Sequence, residues 1–436
     1  MDTETFFEHE QRAFEWSERE AAALERLNRG AGAEVLRATW RAGRRELRAS
    51  QHVGVVRLGR RAVQVLPKAH RAGADSSDAE RADEATRNLL HMLAHAGRLP
   101  IREHATAPLL RRGGDWFEVL TRLFATHLRE EWQRGAHRRY EPVEDELPVL
   151  KGRWRVAESL RRPARRHLFP VAFDEFTADN ALNRVFRFVV ERLWRLTRDG
   201  ANRQLLGELR QWMEEVTLPS ALTAEAAAPS TLTRLNARFA PLLNLARLFL
   251  AGGSLQLTAR DFETFAFVFD MNRLFEEFVV GFIRRRPEVL PDGLQTCELL
   301  PQARGALRHL ASDERGRGVF ELHPDLAFRR GAEFPLLLDT KYKRLDPSDS
   351  KLGISSADFY QMHAYARRYR CPRVVLLYPQ TADMPEPLRR RFTLEGGGRI
   401  DAATVDLRAD LSTQEGREAL TSELWDILGG DKSVQE

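Results

Sequence analysis

Two carboxylates and a lysine are concentrated in one stretch of the chain, residues 320–343, which reads FELHPDLAFRRGAEFPLLLDTKYK. Residues 334–343 run from apolar to polar with no glycine among them, the pattern of a central strand in an α/β sheet. Side chains alternate along a strand, so Asp339 and Lys341 leave one face while Leu338, Thr340 and Tyr342 leave the other. Asp325 follows a proline in a second apolar stretch, and a turn at 329–333 would return the chain as a hairpin with Asp325 beside Asp339. Two carboxylates so placed can hold a hard, oxygen-seeking Mg²⁺, and a lysine two residues on can orient a water or neutralise charge developing on a phosphate. The chemistry implied is phosphodiester hydrolysis. Short acidic and basic patterns also arise at solvated strand ends, so the spacing alone leaves both readings open.

The neighbouring stretches must position these groups. Ser355 and Asp358 have capping-box spacing, which predicts a helix from there to about Tyr369 with Gln361 and Tyr365 on one face. Upstream, residues 265–286 read as one helix, with Met271, Leu274, Phe275, Phe278 and Phe282 as its apolar stripe. By helical phase Glu276 sits at the flank of the buried face with Asn272, Val279 and Ile283, and it is the expected third acidic group near the metal. Glu277 falls with Arg273 and Arg284 and is read as their solvated partner. Arg284, Arg285 and Arg286 close this helix, where cations suit the C-terminal dipole and where phosphate contact is a second reading.

Pro324-Asp325, followed by Asp339-x-Lys341, has the form of the PD-(D/E)xK nuclease signature, and Gln361-x-x-x-Tyr365 is a feature of nucleases resembling the RecB type. Taken in order, LFEEFV, HPDLAF, LLLDTKYKRL, GISSADFYQMHAYARRY and VVLLYP resemble the McrC family, the nuclease subunit of McrBC-type restriction of DNA carrying 5-methylcytosine. The resemblance extends to VGVVRLGRRAVQVLPK at 53–68 and FDEFTADNALNR at 173–184, and so covers most of the chain. It implies a Mg²⁺-dependent endonuclease subunit acting on double-stranded DNA. It also implies an AAA+ GTPase hexamer resembling McrB as partner, whose GTP hydrolysis this chain stimulates without a nucleotide site of its own. Asp325 and Asp339 are then the metal ligands, with Lys341 and Glu276 completing the catalytic set and Gln361 and Tyr365 supporting it. His323 is read as a side chain near DNA or the sheet edge, because this chemistry does not require a histidine. Two further classes stay open: a self-sufficient repair nuclease of the RecB type, and a non-cleaving GTPase-activating subunit.

The bulk of the chain is compatible with this. Its 436 residues, 43% hydrophobic and 30% charged, suffice for two or three domains, and its net charge of +5 comes from a cation set in which Arg far outnumbers Lys. No uninterrupted apolar run approaches the roughly 18 residues of a membrane span, and the acidic first residues do not read as a leader, so no membrane association is expected. Two cysteines, Cys297 and Cys371, offer neither a disulfide framework nor zinc-ligand spacing, which suits a reducing cytoplasm. The expected fold class is multidomain α/β. Residues 1–150 are read as a partner-engaging region with a β-hairpin, 151–254 as a mainly helical connection, and 255–436 as a PD-(D/E)xK nuclease domain. Residues 1–43 read as helical, with 21–27 the clearest part. Val53 and Val55 against Val63 and Val65 signal the hairpin, with its turn at 58–61. Gly54 and Gly59 mimic a phosphate-binding loop, but Arg60 and Arg61 stand where that loop needs Lys and Ser or Thr, which excludes it. Helices are expected over 80–97 and 117–134, each stopped by a glycine. The arginine-rich run 151–167, interleaved by Trp154, is either a solvated face or a contact with DNA or a partner. Residues 179–251 read as helical with a break near 220–231, and 251–254 as a linker. Strands are expected at 374–379 and 404–407, and a final helix at 414–428.

Overall fold

The computed structural model describes residues 3–31, 34–41, 43–58, 61–70, 78–98, 116–161, 163–165, 167–222, 232–234, 236–251, 264–381, 384 and 386–429. They form two compact units, one made of Met1–Trp116 with Leu255–Glu436 and the other of Phe117–Ser254. This differs from the consecutive division 1–150, 151–254 and 255–436, because the first and last parts of the chain share a sheet.

The shared sheet begins with β1 (Thr3–Phe7). After β2 (Gln11–Ala13), α1 (Glu18–Ala31), β3 (Leu36–Arg41) and β4 (Arg44–Ala49), a hairpin of β5 (His52–Leu58) and β6 (Arg61–Leu66) follows. Among the described residues of the expected helical stretch 1–43, then, only α1 is helix. Alternation in Thr-Glu-Thr-Phe-Phe buries Phe6 and lets β1 run parallel to β6, so a short strand wins there. Strands β2, β4 and β3 make a second sheet, and Phe6, Leu24, Leu27, Val56, Val63 and Val65 pack in the core beneath. Residues 59 and 60 of the expected turn lie outside the described residues. The helix expected over 80–97 is α2 (Asp78–His95).

In the second unit α3 (Trp116–Gln133) leads into β7 (Arg139–Leu147), β8 (Arg153–Trp154) and β9 (Phe169–Thr177), a three-stranded sheet ordered β7-β9-β8. This sheet interrupts the helical connection expected over 151–254. Charge in β7 (RYEPVEDEL) and the brevity of β8 hide the sheet in the sequence, although β9 alternates Phe169, Val171 and Phe173. Helices α4 (Ala181–Leu196), α5 (Gly200–Trp212) and α6 (Ala240–Ala251) complete the unit, the first two capped by Asn180 and Asp199. Phe124, Phe186, Phe239 and Phe249 interlock in its core. Most of the break at 220–231 and residues 252–254 of the linker fall outside the described residues.

Returning to the first unit, β10 (Thr264–Asp270) pairs antiparallel with β5 and gives the order β1-β6-β5-β10. The helix expected from 265 therefore starts only at α7 (Met271–Arg285), where the Asp270 side chain accepts the Asn272 N–H and caps it. Alternating phenylalanines in TFAFVFD favour the strand. Gly54 of β5 has φ +135°, and a Cβ there would collide with the Phe267 carbonyl of β10. That close approach accounts for the glycine which mimicked a phosphate-binding loop.

Beyond α7 come β11 (Glu298–Pro301), the ribbon β12 (Arg308–Ser312) and β13 (Gly318–Leu322), β14 (Leu326–Arg330) and β15 (Glu333–Thr340). Helix α8 (Ser356–Tyr369) then crosses over to β16 (Arg373–Pro379), followed by β17 (Arg389–Thr393), β18 (Arg399–Val405) and α9 (Gln414–Gly429). The six-stranded sheet is ordered β11-β14-β15-β16-β18-β17, with β15, β16 and β18 parallel. Leu337, Val374, Leu376 and Ile400 from these strands bury against Met362, Tyr365 and Tyr369 of α8. No helix among the described residues is long and apolar enough to cross a membrane.

Candidate active site

The hairpin forms as its residues predict. Gly331, at φ +63°, turns β14 into β15, and Leu326 pairs with Leu338. One step further the antiparallel register sets Asp325 opposite Asp339. Asp325 Oδ2 accepts both the backbone N–H and the hydroxyl of Thr340, each at 2.7 Å, which fixes the carboxylate. Asp339 is only 2% exposed. Lys341 Nζ lies 2.7 Å from Asp339 Oδ2, an ion-pair contact that leaves this oxygen without a well-directed hydrogen bond among the described residues.

Lys341 is itself held from the far side. Its ammonium donates to Gln361 Oε1 at 3.2 Å, Gln361 Nε2 donates to the Tyr365 hydroxyl at 2.8 Å, and that hydroxyl donates to the His323 carbonyl at 3.0 Å. Helix α8 presents this relay because Ser355 caps it, accepting the Asp358 N–H and donating to the Asp358 carboxylate. Burial and then the Asp339 and Asp325 charges keep the Tyr365 hydroxyl well above its ordinary range, so it acts as a donor and not as a base. The His323 ring instead faces Glu321, Nε2 to Oε2 at 3.1 Å.

Glu276 joins the carboxylates from α7, and its neighbour does not. Glu277 is gripped by Arg98 at 2.6 Å through both carboxylate oxygens and by Arg273 at 3.0 Å. Helical phase identified Arg273; Arg98, distant in sequence, takes the place expected for Arg284. Glu276 Oε1 accepts from Gln302, whose backbone N–H also donates to the Asp325 carbonyl at 2.9 Å. Gln302 and Ala303 sit in the left-handed region, at φ +53° and +48°. Residue types that rarely adopt this conformation are held in it at the mouth of the site. Nothing in PQARG signals such a role before the turn is placed between β11 and Asp325.

Charge is poorly balanced here. Burial, with Asp325 second, pushes Asp339 up to about 8 in spite of Lys341. Asp325 is raised too, by burial against the pull of its Thr340 hydrogen bonds. Burial and then Asp325 raise Glu276 to about 7. Burial alone would lower the Lys341 ammonium, but Asp339 and Asp325 hold it above its ordinary value. Asp325 and Asp339 thus share one close lysine, Glu276 has only the weaker pull of Arg273, and each of the three resists ionisation. Among the described residues no group of three or more His, Cys, Asp and Glu is gathered tightly enough to enclose a metal. Mg²⁺ does not require such a cage, since it commonly takes one or two carboxylates and completes its shell with water and phosphate oxygens. An under-neutralised Asp325–Asp339 pair fits that donor set.

Glu276, Asp325 and Lys341 open onto a cleft of about 1290 Å³ also lined by Arg273, Arg284, Arg285, Arg304 and Lys343, with Asp339 buried behind them. Arg285 also donates to the Ala94 carbonyl at 2.7 Å, and Arg286 pairs with Glu288 at 3.3 Å. Gly281 lets α7 lie against the end of α2, because a Cβ there would strike the His95 carbonyl.

A family model described as McrBC 5-methylcytosine restriction system component matches residues 47–379. No curated protein matches the chain. Among solved structures, a chain from the refined half-complex of the tetradecameric assembly of Thermococcus gammatolerans McrB AAA+ hexamers with bound McrC is similar, at 25% identity and a TM-score of 0.71, over 98% of this chain and 100% of that one. A chain from the cryo-EM structure of the Thermococcus gammatolerans McrBC complex is similar at 28% identity and a TM-score of 0.51, over 65% of this chain and 88% of that one.

Proposed function

The chain belongs to the family of McrBC 5-methylcytosine restriction system components, and from that premise we propose that it is the McrC-type nuclease subunit, a PD-(D/E)xK endonuclease that cleaves DNA together with an AAA+ GTPase hexamer. The observation that carries this reading is the Lys341 ammonium, held between Asp339 and Gln361 beside Asp325 at the foot of an arginine-lined cleft. Asp325 and Asp339 would hold Mg²⁺, whose contribution when bound is to polarise the scissile phosphate and acidify a water. Lys341 orients the attacking water and offsets charge that develops on the phosphate, while Gln361 keeps the ammonium from collapsing fully onto Asp339. Glu276, whose carboxyl burial and then Asp325 raise to about 7, contributes a third acidic group on the cleft side. Arg284, Arg285 and Arg304 bind flanking phosphates, and Arg286 is a weaker candidate because it engages Glu288.

The partner reading draws on the solved assembly, in which McrC is bound to McrB AAA+ hexamers. In this chain the β7-β9-β8 sheet exposes Tyr140, Trp154 and Phe176, with Leu160 nearby at 78% exposure, which supports it as the surface that engages the GTPase and stimulates GTP hydrolysis. The experiment is cleavage of 5-methylcytosine-containing and unmodified duplexes by the full chain with Mg²⁺, cognate GTPase and GTP, while GTP turnover is followed. Cleavage that needs methylation, partner and GTP is the expected result. Turnover unaffected by the chain, or cleavage indifferent to the partner, would remove this function in favour of a self-sufficient nuclease.

A further inference from the structure

The residue after Lys341 is tied to the first strand of the chain. The Tyr342 hydroxyl donates to Glu8 Oε2 at 3.0 Å, and the backbone N–H of Lys68 donates to the same oxygen at 2.8 Å. Lys68 Nζ then donates to the Tyr342 carbonyl at 3.0 Å and stands 4.4 Å from the centre of its ring. Glu8 is fully buried at the end of β1, where its N–H continues the ladder to Leu66, and Tyr342 is 4% exposed. On its other side the Tyr342 ring packs on Phe275 at 5.6 Å, the residue before Glu276 on α7.

Such a network is costly to build from residues whose only task is packing. Among the described residues Glu8 Oε1 finds no hydrogen-bond partner, and burial pushes this carboxyl up to about 7 despite Lys68. An apolar pair of the same volume would fill the space without that penalty. What the polar network provides is direction at one point. It fixes the hydroxyl, carbonyl and ring of the residue that follows Lys341 and touches the helix of Glu276, just past the last bond to β16, from the Lys341 N–H to the Leu377 carbonyl at 2.8 Å.

We propose that Glu8 and Lys68 are positioning residues for the phosphodiester chemistry, clamping Tyr342 so that the Lys341 ammonium and the Glu276 helix keep their places around the Asp325–Asp339 pair. This inference rests on the nuclease reading. It gives the N-terminal sheet a part in the site besides any engagement of a partner.

The test uses the full chain with its cognate GTPase, GTP and Mg²⁺, and compares Glu8→Ala, Glu8→Gln and Tyr342→Phe. Glu8→Ala is expected to lower the single-turnover cleavage rate about tenfold or more at saturating DNA. DNA affinity should stay unchanged, while hydrogen exchange at the Lys341 and Lys343 amides becomes faster. Glu8→Gln keeps an oxygen able to accept from Lys68 and Tyr342, so it should restore both readouts, a rescue that loss of packing would not give. Tyr342→Phe keeps the ring and loses one hydrogen bond; it should fall between them, and it carries the test if Glu8→Ala does not fold. Wild-type exchange and wild-type rate in folded Glu8→Ala or Tyr342→Phe overturn the clamp. A rate loss explained wholly by weaker DNA binding overturns it too. If the wild-type complex never cleaves DNA, the nuclease reading fails by itself, and the exchange measurement still decides whether Glu8 holds the segment.

Discussion

Asp339 and Asp179 are both half of an acid–base pair, yet their surroundings treat them in opposite ways. In the second unit Asp179 accepts from Arg184 at 2.6 and 3.0 Å and from the N–H and hydroxyl of Thr217 at 3.0 and 2.6 Å. The Arg184 hydrogen bonds lead in holding its carboxyl down to about 2. Asp339 is deeply buried, has one lysine against two further acids, and is pushed up to about 8 by burial. The first acid is satisfied and stays ionised, as a structural tie should. The second is left short of positive charge, a state that costs stability and is tolerable where a cation and a phosphate are to arrive.

The largest expected effect comes from removing the under-neutralised set. Asp339→Ala and Lys341→Ala should each lower DNA cleavage by about 10²-fold or more, while partner binding and stimulation of GTP hydrolysis stay largely intact. Near-normal cleavage by either variant would withdraw the site. A narrower contrast lies on α7, where Glu276→Gln should impair cleavage far more than Glu277→Gln. Glu277 also lines the cleft but is matched by two arginines; equal rates for the two variants would deny Glu276 a place in the chemistry.

Much of this contrast was legible in the residues. Alternation and a turn at 329–333 placed Asp325 opposite Asp339, the capping box placed Gln361 and Tyr365, and helical phase separated Glu276 from Glu277. These are local periodicities, fixed by backbone geometry within a few residues. Long-range partners were not legible. Glu8 reaches Tyr342, and Arg98 reaches Glu277, only after β10 pairs with β5 in the sheet that β1 begins. The same pairing turned residues 264–270 from expected helix into strand. Gln302 escaped notice because its role depends on a left-handed turn that no residue type there announces.

A smaller effect concerns pH without divalent cation. Glu8, Glu276 and Asp339 have folded values raised to about 7, 7 and 8, so the stability they contribute is present below their ordinary range and is lost as pH rises through those values. Burial depresses His70 to about 4, which works in the opposite direction but changes little above its ordinary value. Between roughly pH 6.5 and pH 8.5 the thermal midpoint of the first unit should therefore fall by a few degrees, and Mg²⁺ should restore it at the upper end. A flat profile in calorimetry would mean that these acids ionise without strain. The smallest effect is expected from Asp179→Asn, which should cost no more than about 1 kcal/mol in denaturant unfolding because the amide keeps an acceptor for Thr217 and Arg184 is exposed. Cleavage per folded molecule should be unchanged, and a loss comparable to that of Asp339→Ala would erase the distinction between the two acids.

Titration of Mg²⁺ into the full chain in a calorimeter near pH 7, in two buffers of different ionisation enthalpy, decides whether Asp325 and Asp339 are kept short of positive charge for a metal ion. Binding should be accompanied by proton release, because Asp339 must ionise to act as a ligand, and both binding and release should be lost in Asp339→Asn. Mg²⁺ binding that releases no proton, or that is as tight in Asp339→Asn as in the wild type, would contradict it.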